Sequence, residues 1–518
     1  MSGRSRRCLL LLEKCKNMKQ LKQTHAQIII SGLGNDNFAL SRILAFCSDP
    51  NRGSLSHGWR LFEQIDQPTM CICNTMIKAF LHKGEFIKTI EMYIKMLQNG
   101  LYPDNYSLPY VLKACANLQN SGLGEQIHGS SVKLGLLLDV FVGNTLILMY
   151  SICGNMESAR RIFDEIPWQD AVAWTVLISG YAKSGDVDTA RLLFDEAPIK
   201  DRVVWGSMIS GYVQNNCFKE GLQMFRLMQS TDLKPDEAIF VSVLCACAHL
   251  GALDIGIWIH RYVNRIVIPL GIRLNTALID MYARCGNVGL ARKLFDEMQQ
   301  RDVICWNAMI SGVAMQGEGE IALKLFSEME KAGFRPDDIT FLAVLTACSY
   351  SGMVVEGLQI FNSMSEVYGI VPKGEHFGCV VDFLGRAGLF EVAKEIVERI
   401  PSTSSPSEKA IAWRALLNAC CHHRETQLAE CAAEQIMRLE RHSGAYILLS
   451  NMYAAAGKYE DAKRIRKMMG NKGVEKTPGC SSIEINGFVH EFVAGEKTHL
   501  HMEEIHELLQ KMNKHLEG

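Results

Sequence analysis

The feature that most constrains this chain is a pattern that returns every 31 or 35 residues. It is plainest in residues 303–337, VICWNAMISGVAMQGEGEIALKLFSEMEKAGFRPD. Trp306, Met309 and Ile310 fall at helical spacing in the first half. Ile321, Ala322, Leu325, Phe326 and Met329 share one helical face in the second, with Gly317 and Gly319 in the turn between. The unit reads as two antiparallel helices closed by Gly333, Pro336 and Asp337. One helical pair cannot bury its apolar face alone, so such units must stack. The expected fold is all-α, a right-handed α-solenoid of tandem antiparallel helix-pair repeats.

The register can be followed along most of the chain. Units 70–104, 105–139, 202–236, 237–271 and 303–337 span 35 residues each, units 140–170, 171–201 and 272–302 span 31, and 338–373 spans 36. Residues 5–36 form a degenerate first unit, 37–69 a second with a small insertion around Pro50, and 374 to about 409 a last one. The organisation expected is therefore a repeat array over 5–409, two degenerate helical repeats over 410–476, and a different segment with a terminal helix over 477–518. The first four residues would be a presequence remnant. The basic start MSGRSRRCLLLLEKCK has no acid before Glu13, which fits a very short organellar presequence. It fits equally the ragged first helix of the array, because Leu9 to Leu12 begin a repeat-like pattern.

Composition narrows the function classes. Eighteen cysteines without a signal peptide or a compact cysteine framework imply free thiols in a reducing compartment. No apolar run approaches the length of a membrane span, so no membrane partner is expected. The formal net charge is −2, which gives no bulk attraction to a polyanion, so any nucleic-acid binding must come from a local groove.

The period also explains cysteines that could pass for metal ligands. Cys115, Cys247, Cys348 and Cys420 stand in LKACA, LCACA, LTACS and LNACC, one structural position in four units. They are expected in the core. The run Cys420, Cys421, His422, His423 has the chemistry of a zinc site, but neighbours on a helix point in different directions and no second ligand pair is spaced to complete a tetrahedron. It reads as a packed helix end, and no cofactor or metal is expected.

The alternation of unit lengths resembles the P, L and S motifs of the plant pentatricopeptide-repeat family, as in VVWGSMISGYVQN, FVSVLCACAHLGALDIG and NTALIDMYARCGNVGLARKLFDEM. The tryptophan, leucine-glycine and tyrosine signature of tetratricopeptide repeats does not fit these units. AIAWRALLNACCHHRETQLAECAAEQIMRLE and GAYILLSNMYAAAGKYEDAKRIRKMM are similar to the E extension of the PLS class, and PGCSSIEINGFVHEFVAGEKTH to the E-plus segment. Ser482 stands where that segment usually carries tryptophan, which removes a large apolar contact. The resemblance implies a site-recognition factor for C-to-U editing of single-stranded organellar RNA, in the mitochondrion or alternatively the chloroplast. Its implied partners are a DYW-type deaminase in trans and other editing accessory proteins. A helical-repeat scaffold, or an RNA stability and processing factor without an editing role, is the alternative.

Catalysis by the chain itself would need zinc held by His and two Cys, with H-x-E followed by C-x-x-C. His501, Met502 and Glu503 spell H-x-E, but the last cysteine, Cys480, lies upstream of them and no C-x-x-C occurs. No catalytic residue is therefore expected. Residues 501–518 read as an amphipathic helix through Ile505, Leu508, Leu509 and Met512.

The resemblance also implies which residues read RNA. Stacked units repeat the same side-chain position once per unit, so a strand can lie along the first helices with about one base per unit. By the family pattern the fifth and last residues of P and S units approach one base. These are Asn74 with Asp104, Asn144 with Asp170 and Asn307 with Asp337, implying U, and Thr175 with Asp201 and Thr276 with Asp302, implying G. Gly206 with Asp236 has no assigned base. Apolar residues near the second position would sandwich the bases. Pro109, Val241 and Leu342, at the fifth position of L-like units, cannot hydrogen-bond through their side chains and read as spacers. For any one unit, such a residue near a helix end could equally be a cap.

Overall fold

A computed structural model describes residues 11–266, 271–476, 478–485, 487–495 and 501–516. Residues 1–10 of the basic N-terminal stretch, and with them the presequence reading of residues 1–4, lie outside the described residues. The chain divides into two compact units, residues 1–234 and 235–518.

In the first, the repeats carry first helices Met70–His82, Ser107–Asn117, Val140–Ile152, Ala171–Lys183 and Arg202–Gln214, each packed on the next. Each is followed by an antiparallel second helix. In the second unit the same layer runs through Glu237–Leu250, Ile272–Arg284, Val303–Met315, Asp338–Ser351 and Gly374–Arg386. No strand occurs among the described residues from 70 to 400. The fold is an all-α solenoid of helix pairs.

The two unit lengths have a simple origin. Second helices are 10 residues long in the 31-residue units, as in Met156–Glu165, Val187–Glu196 and Val288–Glu297. In the longer units they run to 12–14, as in Phe218–Gln229, Phe86–Gln98 and Leu253–Ile266. The short unit has lost about one helical turn of about 3.6 residues.

The contacts between units recur as the sequence does. Phe163 meets Trp174, Phe194 meets Trp205 and Phe295 meets Trp306, each edge to face at 4.8 Å between ring centroids. In every case a second helix inserts a phenylalanine against the tryptophan of the next first helix, an arrangement the ring quadrupoles favour. Cys115, Cys247, Cys348 and Cys420 are fully buried in the core. Burial pushes the Cys115 and Cys420 thiols up to about 12 and Cys348 up to about 11. They are inert packing groups.

Four details differ from the sequence reading. Gly317 occupies the turn with φ +75°, but Gly319 is the first residue of the second helix, its missing side chain making room for Ser351 Oγ and Met353 Sδ. Ile321 is 42% exposed while Ala322, Leu325, Phe326 and Met329 are buried. The helix assigned to the region after 409 opens earlier, at Pro406, where Ser405 and Glu408 form a capping box. Finally, the segment after the helical repeats carries one antiparallel hairpin that the sequence reading did not place, Cys480–Ile485 with Phe488–Val493. Ser482 lies exposed in it, opposite Glu491. Glu484 accepts the backbone N–H groups of Asp254 (2.8 Å) and Ile255 (3.2 Å), which ties the hairpin to the start of helix Leu253–Ile266. In the terminal helix, Met502–Leu516, Leu508, Leu509 and Met512 are exposed.

First helices approach closely through glycine. A Cβ at Gly312 would stand 2.3 Å from Ala283 Cβ on the neighbouring first helix, and one at Gly211 2.6 Å from Ala182 Cβ. Gly312→Ala gains about 1 kcal/mol of helix propensity but overpacks a backbone contact, which costs about 1–3 kcal/mol. Net destabilisation is expected in urea unfolding. Gly129→Ala, in helix Ser121–Lys133 with nothing within 4 Å of the new methyl, is expected to stabilise by about 0.5–1 kcal/mol.

Candidate nucleic-acid interface

The closing aspartates are caps of the helices that follow them. Asp170 accepts from Ala173 N at 2.8 Å, Asp201 from Val203 N and Val204 N at 2.9 Å, and Asp302 from Cys305 N at 2.9 Å. Asp104, Asp236 and Asp337 accept in the same way from Ser107 N, Ile239 N and Thr340 N. These bonds satisfy backbone N–H groups that a helix start leaves without partners. The carboxylate is thereby fixed at the junction of two units.

In three units the fifth residue is brought to the same carboxylate. Asn74 Nδ2 donates to both oxygens of Asp104 at 3.2 and 3.0 Å, Asn144 Nδ2 to both of Asp170 at 3.1 and 3.2 Å, and Asn307 Nδ2 to Asp337 Oδ1 at 3.0 Å. The amide oxygens of Asn74 and Asn144 are buried and accept no hydrogen bond. A buried acceptor without a donor costs free energy, so these two oxygens keep an unmet demand for an N–H. Asn307 differs, because Thr340 Oγ1 lies 2.6 Å from its Oδ1 as a donor.

The threonine units are built otherwise. Thr175 Oγ1 donates to the carbonyl of Ala171 at 2.7 Å, and Thr276 Oγ1 lies 2.8 Å both from the carbonyl of Ile272 and from Cys305 Sγ. Neither is bonded directly to Asp201 or Asp302. A hydroxyl whose hydrogen goes to a backbone carbonyl keeps its lone pairs for other donors, and that of Thr276 has Cys305 Sγ beside it. Gly206 has no side chain to offer, and Asp236 accepts from Ile239 N at 3.1 Å.

Second-position residues, three before the fifth, share its helical face. Tyr106, Phe141, Val172, Val203, Ile304 and Ile339 are all exposed. Units 140–170, 171–201 and 303–337 thus present an apolar group beside polar fifth and closing residues, the pair of features that stacking and edge recognition of a base require, whereas unit 70–104 has Cys71 and unit 272–302 Arg273 at the second position.

The L-like units were legible only in part. They lack a polar fifth residue, yet their first residue reaches the closing position instead. Asn105 donates to Asp139, Lys373 pairs with Asp338, and a Cβ at Gly271 would lie 3.0 Å from Glu237 Oε1. Among the described residues no group of three or more His, Cys, Asp and Glu is placed to hold a metal. Cys420 is buried, while His423 faces the Arg386 carbonyl at 3.3 Å. No helix among the described residues is long and apolar enough to cross a membrane.

A solenoid of helix pairs whose unit junctions each carry a carboxylate, and whose first helices repeat one exposed face, defines a tandem helical-repeat protein of modular recognition. Comparison with known proteins gives the family. Models of the PPR repeat match residues 71–101, 144–169, 172–198, 203–232, 276–303 and 339–367, one of the PPR repeat family matches 301–350, and the E motif matches 423–484. In Arabidopsis thaliana, pentatricopeptide repeat-containing protein At2g22410, mitochondrial, is 37% identical over 98% of this chain and 89% of its own length. Pentatricopeptide repeat-containing protein At1g08070, chloroplastic, is 35% identical over 100% of this chain and 83% of its own. The crystal structure of the pentatricopeptide repeat protein PPR10 from maize shares the fold, with a TM-score of 0.55 at 15% identity over 90% of this chain and 73% of that one. The chain belongs to the pentatricopeptide-repeat family, in its PLS class with an E extension.

The double bonding of the closing residue has a measurable consequence. Asp170→Ala removes a cap and is expected to lower stability by about 1 kcal/mol. Asp170→Asn keeps a capping oxygen and is expected to stay within about 0.5 kcal/mol of the parent, because asparagine caps as well as aspartate. Paired urea titrations decide it.

Proposed function

We propose that this chain is a sequence-specific single-stranded RNA-binding factor that selects a cytidine for C-to-U editing in an organellar transcript and works with a DYW-type deaminase supplied in trans. The observation that carries the RNA reading is the Asn–Asp couple of Asn74 and Asn144, each with a buried amide oxygen and no donor for it. Uracil has an N–H next to carbonyl oxygens. Once a turn of the side chain uncovers it, the unpartnered Oδ1 can accept from that N–H, and the second Nδ2 hydrogen can donate to a carbonyl. Guanine presents an N–H and an amino group side by side. The lone pairs of a back-bonded threonine and the aspartate beside it offer acceptors to such an edge. The editing role rests on the E motif at 423–484, which a generic RNA-binding solenoid does not need. An organellar site of action is supported by relatives whose names carry mitochondrial and chloroplastic assignments, with the mitochondrion as the first choice. Deamination is assigned to the partner because no H-x-E followed by C-x-x-C occurs in these 518 residues.

On this reading the strand runs parallel to the array, and the unit from 374 to about 409 sits over the fourth nucleotide upstream of the edited C. One base per unit then places U at thirteen, U at eleven, G at ten, G at seven and U at six nucleotides before the target. Comparing organellar cDNA from plants with and without the protein tests the editing role, and loss of editing at a cytidine preceded by this pattern is expected. Unchanged editing at every site would overturn it.

Two further outcomes are expected of the purified protein. Thr276→Asn introduces the amide found in the asparagine units and shifts preference at the seventh nucleotide from G toward U, by about 1–3 kcal/mol in competition binding. The protein alone does not deaminate cytidine and carries no stoichiometric zinc, which a deamination assay and elemental analysis check.

A further inference from the structure

A capping carboxylate brings two side chains of different units together. Asp337 Oδ1 accepts the backbone N–H of Thr340, the third residue of the following unit, at 2.8 Å. The same oxygen accepts from the amide of Asn307, the fifth residue of its own unit, at 3.0 Å. Wherever a closing aspartate holds both partners, the third residue of the next unit stands beside the fifth residue of the unit that ends there. What that third residue carries differs along the array. Behind Asn144 it is Ala173 and behind Thr175 it is Val204, neither with a polar side chain. Behind Asn74 it is Ser107, whose hydroxyl is turned to the backbone of Asp104, accepting from its N–H at 2.9 Å and donating to its carbonyl at 3.2 Å. Behind Asn307 it is Thr340.

Thr340 reaches the amide. Its Oγ1 accepts from Asp337 N at 3.1 Å and lies 2.6 Å from Asn307 Oδ1 and 2.8 Å from Asp337 Oδ1. Its one hydrogen goes to the asparagine, because two oxygens 2.6 Å apart need a hydrogen between them and an amide oxygen carries none. Asp337 Oδ1 already has two donors, Thr340 N and Asn307 Nδ2. The three side chains form a closed ring, and Asn307 is only 5% exposed. At Asn74 and Asn144 the corresponding oxygen has no donor. This difference bears on what a base meets. A ligand N–H that reaches Oδ1 of Asn144 adds a bond where none existed, whereas at Asn307 it must displace the Thr340 hydroxyl. What Asn307 keeps is the second hydrogen of Nδ2, a donor. Uracil and cytosine both carry acceptors for it, but of the two only uracil has the ring N–H that the amide oxygen would accept.

We infer that Thr340 is a positioning residue for unit 303–337, which by holding the acceptor of Asn307 lowers that unit's preference for U over C. Thr340 itself touches no base. The inference rests on the RNA reading above, in which unit 303–337 meets the sixth nucleotide before the target and unit 140–170 the eleventh.

The test uses the purified full chain and RNA oligonucleotides carrying U, U, G, G and U at the stated spacing and adenine elsewhere, with U replaced by C at six or at eleven. Thr340→Ala reproduces the surroundings that Ala173 gives Asn144. Asp337 keeps its bond to the backbone N–H at position 340, so the cap survives. A hydrogen bond gained instead of exchanged corresponds to about two- to ten-fold in binding. Thr340→Ala is therefore expected to raise the U-over-C binding ratio at six by about two- to ten-fold and to leave the ratio at eleven unchanged. Thr340→Val, which keeps the shape and removes the hydroxyl, should do the same. In an Asn307→Ala background both changes should be silent at six, which separates an action through the amide from a loosened junction. The ratio at eleven, read on the same protein, reports an intact array. A ratio at six that both variants leave unchanged or lower, with the preference for U at eleven retained, overturns this inference and leaves the RNA reading standing. An equal rise in the Asn307→Ala background does so too. Absence of any preference for U at both eleven and thirteen overturns the inference and the RNA reading together.

Discussion

The structure turns on one hydrogen-bonded group, the aspartate that closes a repeat. It caps the first helix of the next unit, so its backbone position and carboxylate orientation are set by helix geometry. The same carboxylate holds the amide of Asn74, Asn144 or Asn307. A recognition group bonded in this way is held before any ligand arrives, and less ordering remains to be done on binding. The cap reading and the proposed base-contact reading of these residues are therefore compatible, since capping would give such a contact its geometry.

The rest of the fold serves to repeat that junction at constant spacing. Phenylalanine against tryptophan at 4.8 Å and glycine against alanine between first helices set how one unit sits on the next. Shortening a unit from 35 to 31 residues removes a turn of the second helix and leaves the first helix and its cap unchanged. The interface can thus alternate unit types without losing its repeat. Stability in such an array is close to a sum of nearest-neighbour terms, so a defect such as an overpacked Gly312 acts first on its own junction.

Much of this was legible in the sequence because the period reports helix length and the apolar spacing reports the buried face. Cys115, Cys247, Cys348 and Cys420 were assignable to the core from their common register, and all four are buried. Other features depended on contacts that no local pattern encodes. The hydrogen bonds from Asn105 to Asp139 and from Asp254 N to Glu484 join residues 34 and 230 positions apart. Ile321 sits at the edge of an apolar stripe, where one residue's rotation decides exposure. The hairpin at 480–493 did have a signal, the Asn486-Gly487 dipeptide between two alternating stretches. It was outweighed by the helical period of everything before it.

The central claim is that fixed amide, hydroxyl and carboxylate groups at successive junctions read one base each. Selection from a fully randomised single-stranded RNA pool by the purified protein tests it most directly, because no register is assumed in advance. The account predicts enrichment of U, any base, U, G, any two bases, G, U, read 5′ to 3′. Enrichment of an unrelated sequence, of these bases at another spacing, or of none would contradict it.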